Sequence, residues 1–385
     1  MGLSLDKLKV TSLLFLLCTW GFLFSNLLIA WLPSLSFFFL LLRDSWLLLL
    51  IILMVVKKRY VSIYLYFCIL FIGLLPLIYR HDVAAIKTAF YGIRDISLYF
   101  LIAELLLLSN SLTIKIETIK VFLYFIFYII LLTLIIDIFL AIDLTEVLFR
   151  TSTYFKSKGV DSNLSSGLFG DRLSVPFYSS ALVCTLFSVV YLFQNNRIYS
   201  KKESVLALFF SILTLSKVLL FVLAFRLMGE KWKRVFFLLF LFLIPFLVWL
   251  NSYRTNITDG ILSYHLASTF HHIKAFYLAF EVGLLDFYPD LIGSHSVAGK
   301  NFLEIDMYTI ESSFLTRVLD LKIYSLFFFV YIAYVFFMFN NKLKSKFYFM
   351  FLLLMSLTAT SNHPVAYIPF IFLFSNINNS TLKRA

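Results

Sequence analysis

The sequence is poor in charge and nearly empty of cysteine. Of its 385 residues, 14% are Asp, Glu, Lys or Arg, with 21 acidic residues against 33 basic ones. The three cysteines, Cys18, Cys68 and Cys184, all lie inside apolar runs, which excludes a disulfide framework and a paired zinc spacing. No HExxH, CxxC pair, EF-hand loop, P-loop, GxGxxG or GxSxG is present. Metal, nucleotide and serine-hydrolase chemistry therefore have no support in the motifs, and no cofactor is implied. His271 and His272 are adjacent, so on a helix they diverge instead of chelating as an i, i+4 pair would. No solenoid-type internal repeat is found.

What fills the chain is hydrophobic. Apolar residues make up 61%, Phe alone numbers 47, and the mean hydropathy is +0.93. A soluble chain of this size could not bury so much apolar surface. Continuous apolar runs of about 18 residues or more read as membrane-spanning helices, and their lack of alternation argues against a barrel. The expected fold is therefore an all-α polytopic membrane protein. The net charge of +12 comes largely from basic clusters in short connectors, which read as orientation by the positive-inside rule and not as nucleic-acid binding.

The spans follow from the runs and their stops. The first covers 10–31 and ends before Pro33; with no small-residue cleavage site after it, it is read as retained. Residues 34–43 are expected to dip shallowly, with a second span starting near Asp44 and stopping at Lys57, Lys58 and Arg59, because Arg43 and Asp44 are costly at mid-bilayer. Further spans are expected over 60–79, 95–108 (with an amphipathic lead-in from Val83), 121–140 and 176–193. Two short spans are expected to meet at an outer apex at Ser216–Lys217, and the rest cover 235–250, 324–339, 347–357 and 365–374. The sum is about twelve spans with one large outer loop and both termini cytoplasmic. The domains are 1–250 (membrane), 251–321 (the loop) and 322–385 (membrane). On this topology all six histidines, His81, His265, His271, His272, His295 and His363, share the outer side.

Polarity sufficient for chemistry concentrates in that loop. Leu266, Phe270, Ile273, Tyr277 and Phe280 form one stripe at helical spacing, with His265, Ser268 and His272 opposite, so 264–282 reads as an amphipathic surface helix. Gly293 and Gly299 bracket what reads as a mobile loop carrying Ser294, His295 and Ser296. Glu311 would lie in the first turn of a helix starting near Thr309, where the dipole favours a carboxylate. Five cations, Arg150, Arg172, Lys217, Arg254 and Arg317, sit outside against the positive-inside trend. An anionic ligand would account for them, since a guanidinium fork matches phosphate oxygens. Headgroup contact, or for Arg317 a pair with Asp320 three residues on, is the structural alternative.

On these segments the chain resembles the bacterial O-antigen polymerase and ligase superfamily. GLFGDRLSVPF is similar to its arginine, glycine and proline segment before a mid-chain span. LTLSKVLL is similar to its Ser-Arg apex, with Lys217 in place of arginine. PDLIGS is similar to its proline-to-glycine turn, and IESSFLTRVLDLKIYSL to the segment closing its large periplasmic loop. Where ligases carry a histidine and a small polar residue, this chain has Glu311–Ser312, and His295–Ser296 lies earlier, so the polymerase is the better match. The resemblance implies transfer of a glycan from undecaprenyl pyrophosphate to a sugar hydroxyl of the next lipid-linked repeat unit, at the periplasmic face of the inner membrane, without metal. It implies pyrophosphate binding by Arg172 and Arg254, with Lys217 and Arg317 supporting, and a base, Glu311 first and His272 second. The implied partners are the undecaprenyl-pyrophosphate-linked oligosaccharide, membrane lipids, a chain-length regulator and a flippase, with no nucleic acid. The competing readings are an O-antigen ligase acting on lipid A-core and a lipid-linked oligosaccharide flippase.

Overall fold

A computed structural model describes residues 11–108, 112, 114–140, 164–167, 170–173, 183–188, 200–213, 223, 286–296, 303, 313–339 and 364–382. In chain order the elements are α1 (Phe22–Trp31), α2 (Ser36–Asp44), α3 (Trp46–Val56), α4 (Tyr60–Leu74), α5 (Val83–Leu107), α6 (Ile116–Leu140), β1 (Leu164–Gly167), β2 (Gly170–Leu173), α7 (Lys201–Leu213), α8 (Ser313–Leu321), α9 (Ser325–Met338) and α10 (Pro364–Leu382). Among the described residues the protein is helical, apart from one antiparallel strand pair in which Leu164 pairs with Leu173 and Ser165 with Arg172. Among the described residues four helical stretches are long and apolar enough to cross a membrane: Thr11–Ile29, Phe38–Val56, Tyr60–Ile78 and Thr316–Met338. This is a membrane protein by that measure. The spans expected over 235–250 and 347–357 and the apex at 216–217 lie outside the described residues.

Local chemistry sets the helix ends. Pro33 has no N–H to continue a helix, and α1 stops at Trp31 before a 3-10 turn, Pro33–Leu35. Lys58 adopts φ 52, a left-handed turn that separates α3 from α4 at the basic stop. Pro76 is accommodated in the 3-10 turn Leu75–Ile78 that ends the α4 stretch. Asp82 caps α5, its Oδ1 accepting the Ala85 N–H at 2.6 Å. At α7, Ser200 Oγ accepts the Glu203 N–H at 3.2 Å while the Glu203 carboxylate accepts the Ser200 N–H, a reciprocal capping box.

Two compact units emerge. The first comprises Met1–Lys57, Leu101–Val222 and His363–Ala385. Its core is aromatic: Phe15 meets Phe372 edge-on at 5.5 Å and Phe122 at 6.4 Å, and Trp20 meets Phe122 at 5.2 Å. Here the shallow dip expected over 34–43 is corrected. That stretch is a 3-10 turn followed by α2, and Phe38–Val56 forms one candidate span through Arg43 and Asp44. The two charges neutralise each other, Arg43 Nε and Nη2 donating to Asp44 Oδ1 and Oδ2 at 3.1 and 3.0 Å. Both are buried, and the guanidinium lies 5.5 Å from the Phe22 ring centroid. A bidentate pair packed on an aromatic ring offsets part of the penalty that argued for a break.

The second unit comprises Lys58–Phe100 and Leu223–Asn362. The Tyr66 hydroxyl and Ser97 Oγ join α4 to α5 at 2.7 Å. Phe100 stacks on Tyr331 of α9 at 3.8 Å, and Tyr99 meets Phe328 edge-on at 5.2 Å. α5 is one continuous helix that starts at Val83, where the amphipathic lead-in to the span from Asp95 was expected to begin. Against α4 and α5 lies the segment 286–296, and glycine makes its seat. A Cβ on Gly73 would meet Ile292 Cβ at 2.9 Å. One on Gly92 would lie 2.5 Å from the Ile292 carbonyl carbon and 2.6 Å from the Gly293 nitrogen. Gly293 has φ +99, and a Cβ there would strike the Thr88 carbonyl oxygen at 2.3 Å. The mobile loop expected around Ser294–Ser296 is therefore corrected: its described part is buried against two helices. Gly92→Ala presses on backbone, which cannot rotate away. It should cost about 3 kcal/mol, the upper range for overpacking, read as a lowered unfolding temperature in detergent. An unchanged melting curve would contradict this close seating.

Candidate functional site

The candidate site lies wholly in the second unit, where α8 begins the last candidate span of that unit and 286–296 docks beside it. Its centre is Asp320, fully buried. The Gly293 N–H donates to Asp320 Oδ2 at 2.7 Å. The His295 N–H and the Ser294 hydroxyl both donate to Oδ1, each at 3.1 Å. The His295 Nδ1 sits 2.9 Å from the same oxygen. The Asp320 carbonyl, near the end of α8 where helical carbonyls lack partners, accepts the Asp290 N–H at 2.8 Å. Ile292 completes the docking by donating to the Gly73 carbonyl at 2.9 Å.

Cations close the cluster. Arg317 is fully buried, its Nη1 2.7 Å from Asp320 Oδ2 and its Nη2 3.5 Å from Asp95 Oδ2. Its Nε–H donates to the Thr316 hydroxyl at 3.2 Å. Arg94 is also buried, 3.8 Å from the other Asp95 oxygen, with its guanidinium 4.6 Å from the Tyr91 ring centroid. Lys322 adopts φ 51, a left-handed conformation that costs a non-glycine residue about 1–2 kcal/mol. That turn divides α8 from α9, and the ammonium bridges Asp286 at 3.1 Å and Asp290 at 3.6 Å. The Tyr288 N–H and then the Lys322 ammonium hold the exposed Asp286 carboxyl below its ordinary range.

His295 sits between two carboxylates: its second ring nitrogen, Nε2, is 3.7 Å from Asp290 Oδ2. Burial is the largest single influence on the ring and favours its neutral form. The hydrogen bond and charge of Asp320, then the charge of Asp290, outweigh it, against a smaller opposition from Arg317. The imidazole therefore titrates above the ordinary histidine value. Chemically, the cluster can hold or move a proton at His295 and can present a desolvated guanidinium. Among the described residues no group of His, Cys, Asp and Glu forms a metal site.

The residues singled out from sequence divide sharply. Arg317 is in the cluster, and the i, i+3 pair with Asp320 named as its structural alternative is formed. The Arg172 backbone lies in β2, in the first unit. Lys217, Arg254, His272 and Glu311 lie outside the described residues. Sequence reasoning passed over Asp95, Asp290, His295 and Lys322 as site members. The available signals were weak: an aspartate beside an arginine in an apolar run, and a Ser-His-Ser triplet after a glycine.

Removing the Asp320 carboxylate leaves Arg317 with Asp95 as its one carboxylate partner among the described residues and takes away the partner of four groups of 286–296, the Gly293 and His295 amides, the Ser294 hydroxyl and His295 Nδ1. Asp320→Ala should cost about 3–5 kcal/mol, the range for breaking a buried pair. In a double-mutant cycle with Arg317→Ala, measured by unfolding in detergent, the two losses should fall well short of additive. Additive losses would mean that the pair does not act as a unit.

No protein-family model, curated protein or solved structure matches this chain.

Proposed function

We propose that this membrane protein is a polysaccharide polymerase of the O-antigen type, transferring a glycan from undecaprenyl pyrophosphate to a hydroxyl of the next lipid-linked repeat unit. The observation that carries the reading is the fully buried Arg317, held with Asp95, Asp320 and His295 at the start of a candidate span. Ionisable groups within membrane helices are costly and tend to be kept for function. Here they are a carboxylate-held imidazole that can carry a proton and a paired guanidinium that fixes the loop beside it. The likeness of four segments to the superfamily supplies the substrate class.

On this reading the protein lies in the bacterial inner membrane, with about twelve spans, cytoplasmic termini and one large periplasmic loop. Arg172 and Arg254, aided by Lys217, take up the negative charge that grows on the departing pyrophosphate, while Arg317, placed with them by the resemblance, is held by Asp95 and Asp320 and anchors the segment 286–296. Glu311, or failing it His272, accepts the proton of the attacking hydroxyl. The hydroxyl oxygen bonds to the anomeric carbon, the bond from that carbon to the pyrophosphate oxygen breaks, and undecaprenyl pyrophosphate leaves. No metal enters these steps.

One observation favours a flippase as the second reading. The buried arginines Arg43, Arg94 and Arg317 sit on helices and not in outer loops, as a transport path would have them. Each faces a carboxylate, which suits a closed structural pair better than an open path.

The lipopolysaccharide ladder of a deletion strain tests the reading. Loss of a polymerase leaves a single repeat unit on the core, whereas loss of a ligase leaves bare core. Arg172→Ala and Arg254→Ala should each abolish long chains while the protein still inserts, and normal ladders in both would sink the pyrophosphate assignment. Glu311→Gln should stop polymer formation in a reconstituted assay; full activity would remove Glu311 as the base. Transport by the purified protein without glycosidic bond formation would favour the flippase.

A further inference from the structure

The segment 286–296 is joined to the helices by a charge arrangement that is one cation short. Among the described residues, Asp95, Asp286, Asp290 and Asp320 are linked through ion pairs to three permanent cations, Arg94, Arg317 and Lys322. His295 is the remaining titratable member, with Nδ1 2.9 Å from Asp320 Oδ1 and Nε2 3.7 Å from Asp290 Oδ2. As an imidazolium it supplies the fourth positive charge and offers an N–H to each carboxylate. As a neutral ring it can still donate from Nδ1 to Asp320. Its Nε2 then presents a lone pair towards Asp290, and that atom, buried, has no hydrogen-bond partner among the described residues. A buried acceptor facing a carboxylate is destabilising.

We propose that 286–296 is a proton-operated latch: protonated His295 clamps it between Asp320 and Asp290, and loss of that proton releases it from the Gly73 and Gly92 seat. Every group facing the ring enters the balance. Asp320 and Asp290 favour the closed, protonated form, and Arg317 on α8 opposes it. Lys322 competes for Asp290, and Asp286 draws off part of the Lys322 charge. Arg94 and Asp95 of α5 act through Arg317. The closed state binds the proton more tightly than a released, solvated histidine, which titrates near the ordinary histidine value of about 6.5. Its advantage is therefore complete below that value and is lost as pH rises through the higher value of the closed state. The latch stands on this geometry and does not depend on the glycosyl-transfer reading.

Hydrogen exchange of the full chain in lipid nanodiscs tests it. The amides of Asp290, Ile292, Gly293 and His295 all donate within the closed latch. Corrected for intrinsic exchange, their protection should fall as pH rises from about 5.5 to about 8.5, by up to about ten-fold per pH unit, the one-proton limit. Protection across α4 should stay level. In His295→Gln the latch amides should lose this pH dependence. A level profile in the wild type, or an unaltered dependence in His295→Gln, would overturn the proposal. Should His295→Gln also lose α4 protection, Asp290→Asn decides: with one carboxylate neutralised, the transition should move to lower pH, and an unmoved transition would overturn the latch.

Discussion

A single carboxylate with no exposure to solvent, that of Asp320, holds the second unit together at this end. Burying it alone would be prohibitive, so its surroundings must supply donors for its two oxygens. Compensation comes from two directions. Arg317, one helical turn earlier on the same helix, places its charge beside Oδ2 with Nη1 2.7 Å away, while Gly293, Ser294 and His295 donate from a segment up to 27 residues away in sequence. Asp320 thus ties a local ion pair to a long-range contact. Its own carbonyl, receiving the Asp290 N–H, fixes the register of that contact.

The donors can reach Asp320 only because the backbone of 286–296 lies against the helices. Side chains at 73 and 92 would hold it away, and a side chain at 293 would strike Thr88. Backbone proximity and charge therefore depend on each other. The glycines bring the amides within hydrogen-bonding range, and the amides lower the cost of the buried carboxylate. Lys322 adds a second tie from the left-handed turn between α8 and α9. The strain of that turn persists because its ammonium bridges two carboxylates.

The helical character and several span boundaries were legible in the sequence, and the misreadings within apolar runs share one cause. Apolar runs and their stops located the first span up to Trp31, the second stop at Lys57–Lys58 and the span from Tyr60. The errors arose where charge met an apolar run. Arg43–Asp44 suggested a dip, and Arg94–Asp95 suggested the point where a span begins, because bilayer cost was judged without the partners that reduce it. The Arg317–Asp320 pair was readable from its i, i+3 spacing. The Arg317–Asp95 pair spans 222 residues and left no local trace. Gly73 and Gly92 stand alone in hydrophobic sequence, where a glycine that admits a neighbouring backbone looks like any other. His295 was read as part of a mobile loop because its partner, Asp320, lies 25 residues further on.

The cluster also bears on how the residues proposed to bind pyrophosphate would divide their work. A guanidinium attracts phosphate through its charge and its free N–H groups. Arg317 directs Nη1 to Asp320, Nη2 to Asp95 and Nε to Thr316. A phosphate approaching it would meet two carboxylates as well as the cation, and their repulsion would offset much of the attraction. Its geometry therefore suits an anchor for the loop better than a direct ligand for pyrophosphate. If the glycosyl-transfer reading holds, primary phosphate recognition falls to Arg172 and Arg254. Arg317 would then act on the reaction through the position of the segment that Asp320 and His295 hold against the helices.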